Sequence, residues 1–148
     1  MDYFLGTFEY TIDDNNRLNI PAKFRRVMDT LGQSEFVISK ELKNCIVMYP
    51  YNIWKERIGD KISELPHSDE KANRLRRLLG QNTTEVSLDK QGRVNIPTDY
   101  YNHASIQKKI TILGSIDTIQ LWNPDNYKSV SREPEEKSLI EEFKEFGF

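Results

Sequence analysis

The stretch EYTIDDNNRLNIP at residues 9–21 returns as EVSLDKQGRVNIP at residues 85–97, 76 positions later. Six positions are identical in the two copies: Glu9/Glu85, Asp13/Asp89, Arg17/Arg93, Asn19/Asn95, Ile20/Ile96 and Pro21/Pro97. The similarity continues downstream, where FVIS (36–39) parallels ITIL (110–113) and IVMYPYNIW (46–54) parallels IQLWNPDNY (119–127). Two ordered copies of one pattern predict a duplicated module, at residues 7–54 and 83–127.

Each copy begins with a pattern of two short strands joined by a tight turn. Phe8, Tyr10 and Ile12 alternate with polar residues, which is the period-2 pattern of a half-buried strand. The turn ends on Asn16 in the first copy and on Gly92 in the second, residue types that tolerate a positive φ. The pattern therefore predicts one β-hairpin in each copy.

Proline and glycine mark the helices between the strands. Prolines follow both predicted hairpins and suit the first turn of a helix, while glycines suit the position after the last turn. Helices are predicted at residues 22–31, 98–105, 68–80 (ended by Gly80) and 134–148. The predicted fold class is mixed α/β, mainly β, with a helical connector at residues 55–82 and an acidic helix or tail at 128–148.

Length, charge and cysteine content limit the function classes. The chain has 148 residues and a formal net charge of −2, of which residues 133–148 carry −4 and the remainder +2. No apolar run approaches the roughly 20 residues of a membrane helix, and a single Cys45 excludes a disulfide framework. A soluble cytoplasmic protein without a membrane partner is expected, and the acidity belongs to the tail.

The residues that usually carry catalysis are few and poorly placed for it. His67 and His103 lie far apart in the sequence, and Cys45 stands in an apolar strand, as expected of a core residue. Asp13 and Asp89 each precede an arginine by four positions across a turn, which lowers a carboxyl pKa and disfavours a general acid. We expect no catalytic residue, no metal site, no cofactor and no small-molecule substrate.

The two turn arginines are the strongest functional candidates. Arg17 and Arg93 share a strand face with Asn19 and Asn95 respectively. A β-ribbon can enter the DNA major groove, where arginine recognises guanine and asparagine recognises adenine. The alternative is an Asp–Arg ion pair at each hairpin end, worth about 0.5 kcal/mol. The two interpretations are compatible, since Asp13 and Asp89 would also orient the arginines.

Other polar residues near the turns extend this candidate DNA-binding surface. The further candidates for DNA contact are Asn15, Lys90, Gln91, Lys23 and Arg25. The second copy has Asp99 and Tyr101 where the first has Lys23 and Arg25, so the two copies are expected to contact phosphates unequally. A central basic cluster, Lys71, Arg74, Arg76 and Arg77, is interpreted as a solvated or subunit-pairing face.

A resemblance to a known family lies in the stretches FLGTFEYTIDDNNRLNIPAKFR and RLRRLLGQNTTEVSLDKQGRVNIP and in the two later aromatic strands. Over residues 3–128 the chain resembles the MraZ family of bacterial proteins. The resemblance implies two AbrB/SpoVT-type, MazE-like swapped-hairpin modules that form a pseudo-twofold β-barrel. It also implies a nucleoid-associated transcriptional regulator of the division and cell-wall gene cluster, acting as a ring-shaped homo-oligomer on tandem promoter repeats. In this family the arginines of the D-x-x-x-R motif are the expected DNA contacts. Asn16 departs from the usual glycine.

Two alternatives remain open at this level. A MazE-like fold could act as an antitoxin that neutralises a partner protein through residues 129–148, or the ring could be a scaffold that binds no DNA. For the tail itself, the simpler interpretation is an amphipathic helix that packs on the protein's own surface, with Leu139, Ile140, Phe143 and Phe146 on one side.

Overall fold

A computed structural model describes residues 2–131 and 138–148 of the chain. Eight strands span Thr7–Thr11 (β1), Arg17–Asn19 (β2), Glu35–Ser39 (β3), Cys45–Pro50 (β4), Thr83–Ser87 (β5), Arg93–Asn95 (β6), Lys109–Ser115 (β7) and Thr118–Trp122 (β8). The helices span Ala22–Leu31 (α1), Tyr51–Trp54 (α2), Asp60–Ser63 (α3), Glu70–Asn82 (α4), Thr98–His103 (α5), Pro124–Ser131 (α6) and Leu139–Glu145 (α7), and a π-helical turn, Lys55–Gly59, joins α2 to α3. The order β-β-α-β-β-α therefore occurs twice, as the repeat predicts.

The two copies exchange strands within one antiparallel sheet. Its order is β1-β7-β8-β4-β3-β5, so the first strand of each copy pairs with the third strand of the other. Phe8 lies opposite Ile112, and Val86 lies opposite Phe36. The remaining strands, β2 and β6, pair with each other as a separate two-stranded ribbon. The halves are thus interleaved.

This exchange corrects the prediction of two hairpins. The turns form as expected, but β1 and β2 enter different sheets, as do β5 and β6. The physical reason is that the short strands after the turns, β2 and β6, hydrogen-bond to each other. The strands before the turns, β1 and β5, instead hydrogen-bond to the large sheet and form its two edges. Among the described residues the hydrogen-bonded strands form an open sheet and a ribbon, not a closed barrel.

The core lies between the ribbon and the sheet. Leu18 and Val94 are fully buried and directly opposite each other, and they pack in one cluster with Ile38 and Ile112 of the sheet. On the other face of the sheet, Cys45, Val47, Tyr49 and Trp122 form a second cluster that receives α2, the π-helical turn and α6. Burial on both faces explains why β4 is apolar throughout, without the period-2 alternation of β1.

Local sequence signals mark the end of α1 and the start of α4, but not the end of α4. Gly32 ends α1 at φ 66°, and Asp69 begins α4 by accepting bonds from the N–H groups of Lys71 and Ala72. Gly80 does not end α4, contrary to the prediction. The helix continues to Asn82, whose Nδ2 donates to the carbonyl of Leu78, so the last turn is capped by side chains.

The ends of α5 and α7 also differ from the predicted bounds. α5 stops at His103, two residues earlier than predicted, because Ser105 has a left-handed φ of 55°. α7 begins after Ser138, which caps it, and residues 134–137 of the predicted helix lie outside the described residues. The apolar side chains of α7 are exposed, so the expected packing on the protein's own surface is absent from the described part of the segment.

Across residues 2–131 and 138–148, no helix combines the length and hydropathy that crossing a membrane requires.

Candidate nucleic-acid interface

The two turn arginines and their asparagines come together on one face of the β2–β6 ribbon. In the antiparallel register Arg17 lies opposite Asn95, and Asn19 lies opposite Arg93. Leu18 and Val94 point the other way, into the core. Strand alternation therefore leaves four polar side chains outside, with both asparagines exposed and both arginines half-exposed. The sequence predicted a shared face within each copy, and the pairing of β2 with β6 joins the two faces.

An aspartate organises each turn in the same way. Asp13 Oδ1 accepts bonds from the N–H groups of Asn15 (2.8 Å) and Arg17 (2.9 Å), and Oδ2 accepts one from Arg17 Nε (3.0 Å). In the second copy Asp89 accepts the corresponding bonds from Gln91 (2.8 Å), Arg93 N (3.0 Å) and Arg93 Nε (3.1 Å). Each carboxylate thus fixes both its turn and its guanidinium.

These bonds lower the pKa of both carboxyl groups below the ordinary value of 3.8. The largest cause in each turn is the backbone N–H bond from the arginine, Arg17 or Arg93, since a bond to the charged form stabilises it. The charge and side-chain bond of the same arginine add to the effect. From the sequence, the lowered pKa is attributed to the charge of the arginine. In the structure the hydrogen bond from the arginine's backbone N–H lowers the pKa more than that charge does.

The last residue of each turn has a left-handed backbone. Asn16 has φ 62° and Gly92 has φ 75°, as the turn pattern predicts, and Asn16 occupies the conformation that usually favours glycine. Asn16 Nδ2 also donates to Thr98 Oγ1 at 2.8 Å. This bond ties the turn of the first copy to the helix of the second.

Each turn is supported by the helix of the other copy. Tyr101 on α5 donates its hydroxyl to the carbonyl of Asn16 at 3.1 Å. At the equivalent position of α1, Arg25 donates from Nε to the carbonyl of Ile20 at 3.1 Å and lies directly over Gly92. A Cβ at position 92 would approach Arg25 Cδ to 2.6 Å, so any other residue in the second turn would displace the Arg25 side chain as well as meet an unfavourable φ.

The electrostatics of the two sides differ. Arg93 Nη1 lies 4.0 Å from Asp13 Oδ2, so Arg93 contacts the aspartates of both turns. Lys108 pairs with Asp14 at 3.7 Å beside the first turn. The two sides of the face therefore carry different arrangements of charge.

The other predicted contacts lie around this face. Asn15, Lys90 and Gln91 are exposed at the turn tips, next to the arginines. Lys23 is half-exposed on the first turn of α1. Arg25 also lies beside the ribbon, but its guanidinium is already bonded to Ile20 O, which limits its freedom to reach a phosphate.

Sequence reasoning missed the supporting roles of Tyr101 and Thr98. The signal available for Tyr101 was its position 76 residues after Arg25, which identified it as the equivalent of a basic residue but not as the support for a turn. No local pattern pointed to Thr98, because its partner Asn16 lies 82 residues away.

The cysteine and the two histidines are the remaining side chains that could serve in catalysis or metal binding. Cys45 is fully buried, as predicted for a core residue, and burial raises the pKa of its thiol to about 11. His103 Nε2 lies 2.8 Å from the carbonyl of Leu42, while His67 is exposed. Within the described part of the chain, no three His, Cys, Asp or Glu side chains are grouped as metal ligands would be.

Comparison with known proteins agrees with this duplicated architecture. The family described as "MraZ protein, putative antitoxin-like" matches the chain twice, at residues 3–78 and 79–146. A protein of Natranaerobius thermophilus named "Transcriptional regulator MraZ" is 32% identical over 145 residues, which cover 97% of this chain and 98% of that protein. One of the same name from Pediococcus pentosaceus is 32% identical over 146 residues, covering 97% and 99%. The chain therefore belongs to the MraZ family.

Proposed function

We propose that this protein is a transcriptional regulator that binds DNA sequence-specifically through the outer face of its β2–β6 ribbon. The observation that carries the proposal is the arrangement of Arg17, Asn19, Arg93 and Asn95 on one accessible face, with the residues between them buried. The names of the two relatives support a role in transcription.

The dimensions of the ribbon suit a DNA groove. Alternate residues on one strand lie about 6.6–6.8 Å apart, which is twice the rise of roughly 3.4 Å per base pair. Arg17 and Asn19 would therefore meet bases two steps apart, and Arg93 and Asn95 would do the same on the neighbouring strand. A two-stranded ribbon of this kind can enter the major groove.

The aspartates prepare the arginines for base contact. Asp13 and Asp89 accept hydrogen bonds from the Nε atoms of Arg17 and Arg93, so neither of these bonds uses an Nη atom. Each guanidinium would reach guanine with its orientation already fixed, which reduces the entropy lost on binding. Asn19 and Asn95 would supply contacts to adenine, and Asn15, Lys90, Gln91 and Lys23 would supply phosphate or flanking contacts.

Assembly and target complete the proposal. A single chain with a net charge of −2 offers few cations, so we propose a ring of copies that presents the ribbon repeatedly to tandem promoter repeats. The target is the division and cell-wall gene cluster, and the protein acts in the cytoplasm in association with the nucleoid. We also propose that the ribbon and sheet pack as a pseudo-twofold barrel, since their apolar faces share one core.

The domain boundaries remain part of this proposal. The strand-rich modules are assigned to residues 7–54 and 83–127, with the connector at 55–82 and the acidic segment at 128–148. In that division each module supplies one D-x-x-x-R turn to the ribbon.

A binding titration of the full-length protein with its own upstream DNA tests the proposal. Arg17→Ala and Arg93→Ala should each weaken binding by about tenfold to a hundredfold, the usual effect of losing one base contact. The matched control is Arg57→Ala, which removes one cation from the π-helical turn on the other face of the sheet. Unchanged affinity in the Arg17→Ala/Arg93→Ala double variant would refute the proposed interface.

An antitoxin-like role is the second candidate, because the family description itself carries that term. In that case the chain would neutralise a partner protein, and a small protein would copurify with it in equal amounts. A scaffold without DNA binding is the remaining alternative. It predicts no mobility shift of the upstream DNA at any protein concentration.

A further inference from the structure

Helix α4 exposes an apolar stripe bordered by cations. Leu75 and Leu78 retain 39% and 43% of their surface accessible to solvent, although they lie on one face of the helix. Lys71 and Arg74 border that face, Arg77 and Glu70 lie on the adjoining side of the helix, and among the described residues none of the three cations forms an ion pair. A stripe of this kind is an unfilled helix-packing surface.

Arg76 separates this outer face from the body of the protein. Its guanidinium donates to the carbonyls of Ile62 (3.2 Å) and Leu65 and to Asn73 Oδ1 (2.9 Å), so it fixes α4 to α3 and to the residues that follow α3. Of the four-residue basic cluster in the sequence, Arg76 is therefore structural. The other three cations remain available on a helix whose orientation is fixed.

Helix α7 has the opposite character. Leu139, Ile140, Phe143 and Phe146 are 69%, 66%, 45% and 77% exposed, and they follow one another at helical spacing. Glu141 and Glu142 lie in the first turn of the same helix. Among residues 2–131 and 138–148, nothing covers the apolar side chains of this short acidic helix, which leaves an unfilled packing surface.

The two helices complement each other in spacing and in charge. Lys71, Arg74, Leu75 and Leu78 occupy positions i, i+3, i+4 and i+7, and the apolar residues of α7 occupy i, i+1, i+4 and i+7. α4 carries a net charge of +3 and α7 one of −2. The ribbon, by contrast, offers cations without apolar side chains, since its apolar residues face inward.

We propose that α7 of one protomer packs on the Leu75–Leu78 face of α4 in a neighbouring protomer, with Glu142 beside Lys71 and Arg74 and with the net negative charge of α7 set against the net positive charge of α4. The single chain contains both helices, yet both faces are left exposed in its fold. A second copy can cover them without rearranging the body of the protein. Seven residues separate α6 from α7, a connection that can reach up to about 25 Å from the body.

Such a contact is head-to-tail, because two different surfaces meet. Interfaces of this type form rings when the rotation between neighbours closes. The inference rests on the ring assembly in the proposed function, and it names the surfaces that join the protomers. It does not involve the ribbon, so loss of assembly and loss of base contact can be measured separately.

Charge reversal on each helix tests the contact in the full-length chain. Light scattering after gel filtration should show that Arg74→Glu/Arg77→Glu and Glu141→Lys/Glu142→Lys each raise the concentration needed for assembly at least tenfold. Mixing the two variants in equal amounts should restore assembly, because each negative α4 then meets a positive α7. The control Lys43→Glu/Lys61→Glu reverses two exposed lysines elsewhere and should assemble normally.

The outcomes separate the proposal from its competitors. Normal assembly of either reversed variant, or a monomeric wild-type protein at micromolar concentration, overturns it. If assembly returns only when all four substitutions lie on one chain and not in the mixture, α7 packs within its own protomer, and the proposal is also overturned. Arg17→Ala should leave assembly unchanged. A variant that binds DNA weakly but assembles normally shows that the loss of assembly in the reversed variants does not follow from lost DNA binding.

Discussion

Gly92→Ala is expected to destabilise the protein by more than an ordinary glycine substitution, through its contact with Arg25. At φ 75° an alanine costs about 1–2 kcal/mol for the left-handed backbone alone. Its Cβ would also lie 2.6 Å from Arg25 Cδ and 2.8 Å from Nε, so the arginine has to move. Moving it breaks the Nε bond to Ile20 O, a further loss of about 0.5–1.5 kcal/mol.

Gly32 provides a matched control within the same chain. It has a similar φ of 66°, but a Cβ there would meet nothing within 4 Å. Gly32→Ala should therefore lose only the backbone contribution of about 1–2 kcal/mol. The difference between the two variants, about 1 kcal/mol, corresponds to about 2–4 °C in Tm for a chain of this size.

Urea unfolding at one fixed protein concentration measures this difference, since assembly would otherwise shift the midpoint. In the Gly92→Ala background, Arg25→Ala should have almost no effect, whereas it should cost about 1 kcal/mol in the wild type. Equal destabilisation by Gly92→Ala and Gly32→Ala, or additive effects of Gly92→Ala and Arg25→Ala, would refute the reasoning.

Three further predictions concern the ribbon and its turns. Tyr101→Phe should lower the free energy of unfolding by about 1 kcal/mol, because the bond to Asn16 O is lost; an unchanged urea midpoint would contradict this. Because the folded pKa values of Asp13 and Asp89 are lowered, their stabilising effect is present above about pH 4 and is lost as the pH falls through the folded values. The Asp13→Asn/Asp89→Asn variant should thus lose less stability than wild type between pH 5 and about pH 2, and parallel curves would count against it. Leu18→Ala should cost about 2–5 kcal/mol in urea unfolding, because its side chain is fully buried between ribbon and sheet, and a loss below about 1 kcal/mol would exclude that packing.

Features governed by neighbouring residues could be predicted from the sequence. The bounds of α1, the left-handed Asn16 and the turn aspartates all depend on contacts within four or five positions, and each was found as predicted. The shared face of Arg17 and Asn19 follows from strand alternation alone.

Features governed by distant pairing could not be predicted in the same way. Because the two copies carry nearly the same strand patterns, β1 fits the third strand of either copy, and the periodicity does not choose between them. The support of Asn16 by Tyr101 depends on that choice, since the two residues lie 85 positions apart. The prediction that α4 ends at Gly80 is wrong for a related reason. Asn82 caps the last turn of the helix, and the glycine alone does not predict that cap.

The β2–β6 ribbon has two halves that are similar but not identical, because each comes from a different copy of the repeat. If two identical chains built such a ribbon, its halves would be the same, and a symmetric reader favours an inverted repeat. Here both halves belong to one chain, so a substitution alters one half and leaves the other unchanged. Asn15 stands at the tip of one turn and Gln91 at the other, and Arg25 supports one side where Tyr101 supports the other. The four proposed base contacts are the same in both halves, so any difference in how the two halves of a DNA site are bound would come from these flanking residues.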